Sequence, residues 1–497
     1  MAAATVDGGN DRGNDSGGGG RRTTMQCSYE RLAMNVAEDF IIDLPSEKKD
    51  VISDLPRDII DRILARMPIR DVARTSVLSR KWRQIWATHP QLMFDHQFNF
   101  NIETTEDKPF ILQNFVNVIK KIFNIETTEN KPFKILQNFV NVINKIFLLH
   151  TGPILKFSLY IPPPIQIDHN HDIDHWMLIL SSNGIKELTF ESASPYPYKL
   201  PSCIFSCPQL TRLKLCNCII KPPHAFKCFG NLISLSFENI IFTANMLETL
   251  FSSAPLLENL FILSCIGIEH FNIQAPSLKV LQLGSICGFK SISFKNSPNL
   301  AIVVIAPLFE IDNSQWAKTT NLIELVASLP RIERLLLDNF VLKVLAAGTV
   351  SKRLPAIKNL RFIQLFKINF NDLDQISCIL CLLKSSTNLQ DLYLQAFESK
   401  GTVMQPVFNF LKESKWMYLK LNTLQTAELV LYGCSRTELF FIEFLLARCL
   451  ILERIFIQLS GVSSNEGFRV LKKVVRFSRA SEKAEVIFEY RESRSNI

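Results

Sequence analysis

The feature that most constrains the fold is a spacing of apolar residues that recurs over the last two thirds of the chain. An apolar residue is followed by others three and five positions later, and by cysteine or an apolar residue eight positions later, as in Leu210, Leu213, Leu215 and Cys218. Matches begin at Ile154, Ile185, Leu210, Leu232, Leu257, Leu278, Leu300, Ile332, Leu360, Leu389, Thr426 and Leu452. Their mean interval is about 27 residues, which predicts an array of stacked repeats.

The spacing has a structural cause. The residues at the third and fifth positions after the start are two apart, so on a strand they point to one face, which we expect to be the core. The position eight residues after the start should lie where the chain turns off the strand, and asparagine or a small thiol such as Cys218, Cys265 or Cys434 suits such a turn. The period falls in the leucine-rich-repeat range of ~20–29 residues. We therefore predict a curved solenoid with a parallel sheet on its concave face.

Composition agrees with a folded protein inside the cell. The 497 residues are 47% hydrophobic and 21% charged, and the net charge of +8 gives no electrostatic case for nucleic acid. The N-terminal sequence lacks the apolar core of a signal peptide, and no uncharged apolar run approaches the ~18–20 residues of a membrane helix. We expect residues 1–40 to form a disordered tail, the 12 cysteines to be reduced, and the location to be the nucleus and/or the cytoplasm.

One segment occurs twice. Residues 101–123 recur as residues 124–147, and apart from the inserted Lys134 the copies differ only at Asp107/Asn130 and Lys120/Asn144. The repetition indicates either a tandem duplication or an error in the gene model. Each copy carries apolar residues at helical spacing and so predicts an amphipathic helix; these residues are Phe115, Val118, Ile119 and Ile122, then Phe139, Val142, Ile143 and Ile146.

Residues 54–95 predict three short helices rather than a repeat. Asp54 is a plausible N-cap for the first helix, whose apolar stripe ends at Pro68. A second helix should begin near Arg70, and a third should carry Trp82 and Trp86. So short a segment cannot bury this much apolar surface by itself, so some of it should face the solenoid or another protein.

This segment resembles an F-box. The similarity lies in Leu55-Pro56, Ile59-Ile60, Ile63-Leu64, Pro68, Val72, the run from Thr75 to Ser79, and Trp82 with Trp86. It is greatest to the plant type that reads LP-x-x-I-L, R-T-S-V-L-S and W-x-x-L-W, from which Ile60 and Ile85 depart by replacing leucine. The repeats look like those of the same family, and the stretch from Trp416 resembles its FBD domain. The doubled 101–147 segment departs from the family pattern.

The resemblance to plant F-box/FBD/leucine-rich-repeat proteins implies an α/β fold. A short all-helical F-box would be followed by an irregular leucine-rich-repeat solenoid with a parallel sheet, closed by an FBD-type C-terminal segment. We place the F-box at residues 50–95, the linker with the duplicated helix at 96–150, the solenoid at 151–415 and the FBD-type repeats at 416–497.

The resemblance also implies a function. The F-box would bind a SKP-type adaptor, which connects to a cullin–RING ubiquitin ligase, and the repeats would bind a protein substrate. The matching positions pack within the F-box or against the adaptor: Leu55, Pro56, Ile59, Ile60, Ile63, Pro68, Val72, Leu78 and Trp82. Two alternatives remain: a repeat scaffold that recruits no ligase, and a co-receptor in which a small molecule helps to hold the substrate. The second needs a column of basic residues in phase with the repeats, which the sequence lacks.

Other patterns favour structural explanations. The cluster from Asp168 to His175 has metal-ligand residue types but no supporting spacing, and Cys378 with Cys381 fits two buried thiols on a helix better than a redox pair. The basic residues around Trp82 fit a solvated face better than a nucleic-acid surface. The sequence has no P-loop, nucleophile elbow, zinc-protease motif or RING-like cysteine array. We therefore expect no catalytic residue, metal or cofactor, and no nucleic-acid or membrane partner.

Overall fold

The computed structural model of the chain describes residues 52–95, 98, 131–162, 171–221, 229–242, 246–268, 270–285, 291–294, 296–306, 322–346, 354–397, 405–412, 416, 419–432 and 435–491. Its α-helices are α1 (Arg57–Leu64), α2 (Ile69–Thr75), α3 (Arg80–Ala87), α4 (Lys131–Leu149), α5 (His171–Ser182), α6 (Met246–Ser253), α7 (Leu322–Ala327), α8 (Asn339–Ala346), α9 (Leu373–Ser385), α10 (Gln405–Leu411), α11 (Arg436–Arg448) and α12 (Ser464–Val474). A 3₁₀ turn spans Ser202–Ser206.

The strands are β1 (Gln91–Phe94), β2 (Lys156–Ile161), β3 (Glu187–Ser192), β4 (Tyr198–Lys199), β5 (Arg212–Ile220), β6 (Ser234–Phe242), β7 (Asn259–Leu263), β8 (His270–Asn272), β9 (Val280–Gly284), β10 (Ser291–Ser293), β11 (Ile302–Ala306), β12 (Arg334–Asp338), β13 (Phe362–Ile368), β14 (Asp391–Ala396), β15 (Thr426–Tyr432), β16 (Arg454–Ser460) and β17 (Glu485–Arg491). All but β8 and β10 belong to one parallel sheet, in which consecutive repeats are neighbours from β1 to β17. The predicted solenoid with a parallel sheet is confirmed.

The predicted core positions are the buried ones. In the repeat that begins at Leu210, Leu213 is 2% exposed and Leu215 is fully buried. The residue between them on the strand, Lys214, faces the opposite, open side of the sheet and is half-buried. Helices or irregular connections cover the core side, so each repeat completes its core only against its neighbours.

Two details of the predicted repeat were wrong. The residue with left-handed backbone geometry is the seventh after the start rather than the eighth, and it occurs in five repeats, at Asn217, Asn239, Ser264, Ser285 and Lys367. It directly follows the strand at Ser264 and Ser285, whereas at Asn217, Asn239 and Lys367 it interrupts the pairing and the strand continues beyond it. The eighth position points into the core instead, where the thiol of Cys265 donates to the carbonyl of Leu263 at 3.2 Å. The start assigned to Thr426 is two residues late. Thr426 pairs with Asp391 on the open side, and Leu424, 1% exposed, occupies the core position.

Asparagine side chains join adjacent repeats at the edge where the strands begin. Each lies just before the first apolar residue of its repeat and donates to a carbonyl of the repeat before, as Asn299 does to Pro276 at 2.7 Å and Asn388 does to Lys358 at 2.7 Å. The sheet also continues without a break from β14 to β15, across the predicted boundary between residues 415 and 416. That boundary stays a prediction.

Candidate docking surfaces

The F-box-like segment is a small three-helix unit with its own core. Ile60, Val72 and Trp82 are 1%, 1% and 4% exposed. Helix α1 begins after Pro56, which caps it without a side-chain hydrogen bond, so the predicted N-cap at Asp54 was wrong. Proline fixes φ near the helical value and needs no N–H at this position, which is why it can begin the helix alone. Because Ile60, Val72 and Trp82 are buried, these three of the nine predicted adaptor residues form the core of the unit.

Hydrogen bonds fix the start of the third helix. Ser79 caps α3 by accepting from the backbone N–H of Trp82 at 3.2 Å. The indole of Trp82 donates to the hydroxyl of Ser53 at 2.6 Å, and the Lys81 ammonium donates to the carbonyl of the same serine. The turn that carries Ile52 is thereby held against the end of α3 that directly follows Val77 and Leu78.

The remaining predicted residues lie at or near the surface. Pro56, Pro68, Ile63 and Leu78 are exposed, the last two by 43% and 67%, whereas Leu55 and Ile59 are half-buried. Two further apolar residues of the unit, which were not among the predicted adaptor residues, are also exposed: Ile52 (57%) and Val77 (76%). We name this set the N-terminal apolar surface: Ile52, Pro56, Ile59, Ile63, Pro68, Val77 and Leu78. Six of the seven are exposed and Ile59 is half-buried, so the described part of the unit leaves these apolar side chains largely uncovered.

Charges surround this surface. Arg62, Arg66, Arg80 and Lys81 are all exposed. Two ion pairs lie on the unit, Arg57 with Asp61 at 2.9 Å and Arg74 with Asp71 at 2.8 Å, and two acidic residues, Asp54 and Asp58, are exposed as well. Such exposed pairs add little stability. The excess of cations favours a partner with acidic groups around an apolar centre.

The three-helix unit is attached rigidly to the solenoid. Strand β1 follows α3 and pairs with β2, with Phe94 opposite Leu159. Gly152 lies directly against the end of α3, since an added Cβ atom there would come within 2.7 Å of the Cα of Thr88. Only glycine permits so close an approach. The N-terminal apolar surface therefore has a defined orientation relative to the sheet.

Helix α4, from the second copy of the duplicated segment, covers the first repeats. Phe139 and Ile143 are 2% and 0% exposed, as the amphipathic pattern predicted. Asn144, one of the two residues that differ between the copies, accepts from the indole of Trp176 at 2.6 Å and donates to Asp172 at 3.0 Å. Lysine, which the first copy has at this position, has no acceptor. The predicted helix of the first copy lies outside the described residues.

The open side of the sheet changes character along the array. On the first strands its charges pair with each other across the sheet, Lys156 and Arg212 with Glu187 at 3.2 and 3.6 Å. From β7 to β14 the half-buried residues on this side are mainly apolar: Phe261, Leu263, Val280, Ile302, Val304, Leu336, Phe362, Phe366 and Tyr393. The Arg334 guanidinium stacks 4.3 Å from the ring centroid of Phe362. The central strands thus form an apolar strip between charged ends.

The polar clusters of the sequence have structural roles where they are described. Asp172 is bound by Asn144, and Asp174 accepts from the hydroxyl of Tyr198. Cys378 is 1% exposed, and burial raises the pKa of its thiol well above the usual value, which opposes redox reactivity. Within the described ranges there is no group of three or more potential metal ligands. No described helix combines the length and apolar character needed to span a bilayer.

Comparison with known proteins identifies the same two parts of the chain, the three-helix unit and the repeats. The F-box domain profile matches residues 52–92, and the profile of the leucine-rich repeats of FBD-associated F-box protein At5g56370 matches residues 173–394. F-box/FBD/LRR-repeat protein At1g13570 of Arabidopsis thaliana is 32% identical over 445 residues, which cover 89% of this chain and 99% of the relative. The chain belongs to the plant F-box/FBD/leucine-rich-repeat protein family.

A second Arabidopsis thaliana relative spans the same architecture. FBD-associated F-box protein At5g56370 is 27% identical over 470 residues, which cover 88% of this chain and 100% of the relative. The F-box profile ends at residue 92, inside β1, so the F-box of this chain runs directly into the first strand of the sheet. Family membership confirms the predicted resemblance and fold class, and leaves the roles of the individual adaptor residues as predictions.

Proposed function

We propose that the protein is the substrate-recognition subunit of an SCF-type cullin–RING ubiquitin ligase. Proteins that join an F-box to leucine-rich repeats are generally substrate receptors of such ligases. The observation that carries the proposal for this chain is the N-terminal apolar surface, whose most exposed members, Val77 and Leu78, are 76% and 67% exposed on an otherwise well-packed unit. Apolar residues displayed in this way lose water-exposed area on binding a partner.

In this proposal the nine predicted adaptor residues divide into two groups. Pro56, Ile59, Ile63, Pro68 and Leu78 contact a SKP-type adaptor, together with Ile52 and Val77. Leu55, Ile60, Val72 and Trp82 hold the three helices in the orientation that presents them. Replacing a core residue would therefore abolish binding by unfolding the unit, whereas replacing a surface residue should abolish binding alone.

The repeats would hold the protein substrate on the open side of the sheet. The apolar strip from β7 to β14 is the part of that side on which a substrate could bury apolar groups without displacing ion pairs. The ligase chemistry would be supplied by the other subunits in the cytoplasm or nucleus. This chain would contribute proximity, because holding a substrate near the charged carrier raises the effective concentration of its lysines.

Co-purification with a SKP-type adaptor tests the proposal. The full chain should form a stoichiometric complex, and Ile63→Asp/Leu78→Asp should lose it, because desolvating two interfacial charges costs several kcal/mol, on the order of a hundredfold or more in affinity. The matched control is Leu178→Asp/Leu256→Asp, which alters two apolar residues of the solenoid that are 56% and 50% exposed.

Thermal unfolding followed by circular dichroism should show both double variants to be as stable as the unsubstituted chain. If the folded, unsubstituted chain does not bind the adaptor, the ligase proposal fails and the scaffold alternative takes its place. Equal binding by all three proteins would place the adaptor contact somewhere other than the N-terminal apolar surface.

A further inference from the structure

One cation lies among the residues of the apolar strip. In the described strands of the main sheet from β7 to β14, the open-face residues are the second, fourth and sixth after the start of each repeat, and Arg334 is the only arginine or lysine at these positions. It is exposed at the beginning of β12, and the neighbouring strands place Ile302 on one side of it and Phe362 on the other. Leu336 follows two residues later on the same face. A positive charge is thus surrounded by apolar side chains.

The described residues supply no anion for this charge. No described carboxylate forms an ion pair with Arg334, whereas on the first strands of the sheet Lys214 pairs with Glu191 at 2.5 Å. The nearest acidic residue in the row of Arg334 is Asp391, two strands away, and it accepts a hydrogen bond from the hydroxyl of Thr426. The guanidinium is therefore available to an anionic group of a bound partner.

Stacking fixes the orientation of this guanidinium. Its central carbon lies 4.3 Å from the ring centroid of Phe362. The five N–H donors of a guanidinium lie in its plane, so contact between its face and the ring leaves them able to bind an anion. The ring also keeps water from one face, which strengthens a charge-assisted hydrogen bond. The site suits a planar group with two acceptor oxygens, such as a carboxylate.

We propose that the substrate presents a segment in which one aspartate or glutamate, flanked by apolar residues, binds Arg334 through its carboxylate. This inference rests on the proposed function, in which the open side of the sheet holds the substrate, and it names the chemistry of that substrate. The flanking side chains would lie on Ile302, Leu336 and Phe362. Arg334 thereby determines specificity, because an apolar segment without the acidic residue would leave the cation desolvated and unpaired.

The borders of the apolar strip confine the acidic residue to the centre of the segment. Glu238 of β6 lies beside Leu263, and Glu428 of β15 lies beside Tyr393. Both glutamates are exposed. They would repel an acidic residue at either end of the segment and favour lysine or arginine there.

A carboxylate fits the site better than a phosphate does. Arg334 supplies one positive charge, whereas a phosphoserine carries about −1.5 to −2 at pH 7 and is typically bound by a cluster of arginines. The exposed glutamates at both borders would add repulsion for the second negative charge. The site therefore matches the single charge of an aspartate or glutamate side chain.

Peptide selection on the full chain tests this proposal. The probe is a display library of random 12-residue peptides, because seven strand intervals separate β6 from β15, about 34 Å or roughly ten extended residues. We expect enrichment of a central aspartate or glutamate between apolar residues. Arg334→Glu should select lysine or arginine at that place instead. The matched control, Arg454→Glu, changes an exposed arginine at the same repeat position on β16 and should leave the preference unchanged.

Fluorescence anisotropy with one selected peptide measures the size of the effect. Arg334→Glu should weaken binding about 30-fold or more, and so should replacing the acidic residue of the peptide by lysine. The two changes together should restore most of the affinity, a recovery that an unfolded variant could not give. Arg334→Lys should retain only part of the affinity, because an ammonium lacks the planar fork of donors.

Three outcomes would overturn the proposal. One is that the unsubstituted chain enriches no peptide, and another is that it selects the same peptides as Arg334→Glu. The third is that a phosphoserine version of the peptide binds more than about tenfold tighter than the acidic one. The adaptor takes no part in these assays. A chain that fails to bind the adaptor would therefore still show the peptide preference, and loss of the preference would leave adaptor binding intact.

Discussion

At its amino-terminal end the sheet is closed by the F-box and helix α4, whereas at its carboxyl-terminal end β17 and α12 have no described neighbour beyond them. Phe94 of β1 and Phe488 of β17 occupy the same position in their repeats, the fifth residue after the start. Phe94 is fully buried and packs against Phe98 and Phe157, with ring centroids 5.1 and 5.8 Å away. Phe488 is half-buried. The same repeat position is thus fully enclosed at the amino-terminal end and left partly open at the carboxyl-terminal end.

Two glycines show the same difference. A Cβ atom on Gly152 would meet backbone atoms of Thr88 at 2.7–3.0 Å, and the backbone there cannot yield. A Cβ atom on Gly467 of α12 would meet the ring of Tyr490 at 3.2 Å. That ring is 48% exposed and has room to shift. The amino-terminal end is built for one fixed arrangement, and the carboxyl-terminal end retains freedom.

The largest expected effect comes from truncating the two phenylalanines. Phe94→Ala should lower the free energy of unfolding by about 3–5 kcal/mol, because it leaves a cavity in a fully packed site. Phe488→Ala should cost about half as much in dilute solution, since the site is already partly hydrated. Urea denaturation of both variants measures the difference. Equal losses would show that the carboxyl-terminal end is as closed as the other.

A smaller effect is expected from making the second copy of the duplicated segment resemble the first. Asn144→Lys removes the acceptor for the Trp176 indole, although the lysine ammonium can still donate to Asp172, so it should cost about 1–3 kcal/mol at the amino-terminal end. Urea denaturation measures the loss. Leu148→Lys is the control, because it adds a lysine to the same helix at a site that is 78% exposed. If the two variants are equally stable, Asn144 does not decide which copy is used.

Acid should weaken the amino-terminal end selectively. His89 occupies the first apolar position of the β1 repeat, is 2% exposed, and has an Nδ1 atom without a hydrogen-bond partner among the described residues. The Nε2 atom of the neighbouring His150 lies 2.7 Å from the carbonyl oxygen of His89. Burial lowers the pKa of both imidazoles below the usual 6.5. The unfolded chain therefore binds more protons below about pH 6.5, and stability falls as the pH decreases.

His89→Leu isolates this effect. The variant should be more stable than the unsubstituted chain, and its advantage should grow between about pH 7 and pH 5.5, by at most about 1.4 kcal/mol per pH unit. The comparison is needed because burial raises the pKa of Asp338 and of Glu438 to about 7. These carboxyls add stability as the pH falls from about 7 towards 4, which opposes the histidine effect in either chain. An advantage that does not change with pH would contradict the assignment to His89.

The sequence predicts the repeat because its period and its buried positions follow from strand geometry alone. It misses the first and the last described repeats, since His89 and Lys483 stand where the pattern requires an apolar residue. It also misplaces the repeat at Thr426, because Leu429 and Leu431 satisfy the spacing as well as Ala427 and Leu429 do. Both errors concern side chains whose fit depends on neighbouring repeats, which a pattern within one repeat cannot register.

The docking surface was predictable only in part. The F-box motif predicts candidate adaptor residues, but its apolar positions look alike whether they point into the unit or away from it. Ile60 and Ile63 lie on the same short helix and are 1% and 43% exposed. Their difference depends on where α2 and α3 cross α1. Ile52 was missed because its position depends on the hydrogen bond between Ser53 and Trp82, which links residues far apart in sequence.

The smallest expected effect tests the freedom of the carboxyl-terminal end. Gly467→Ala improves helix propensity by up to about 1 kcal/mol and requires the Tyr490 ring to move by a few tenths of an ångström. In dilute solution the ring can move, so urea denaturation should show a gain of about 0.5 kcal/mol. A loss of stability would mean that Tyr490 is already held as firmly as Thr88 is against Gly152.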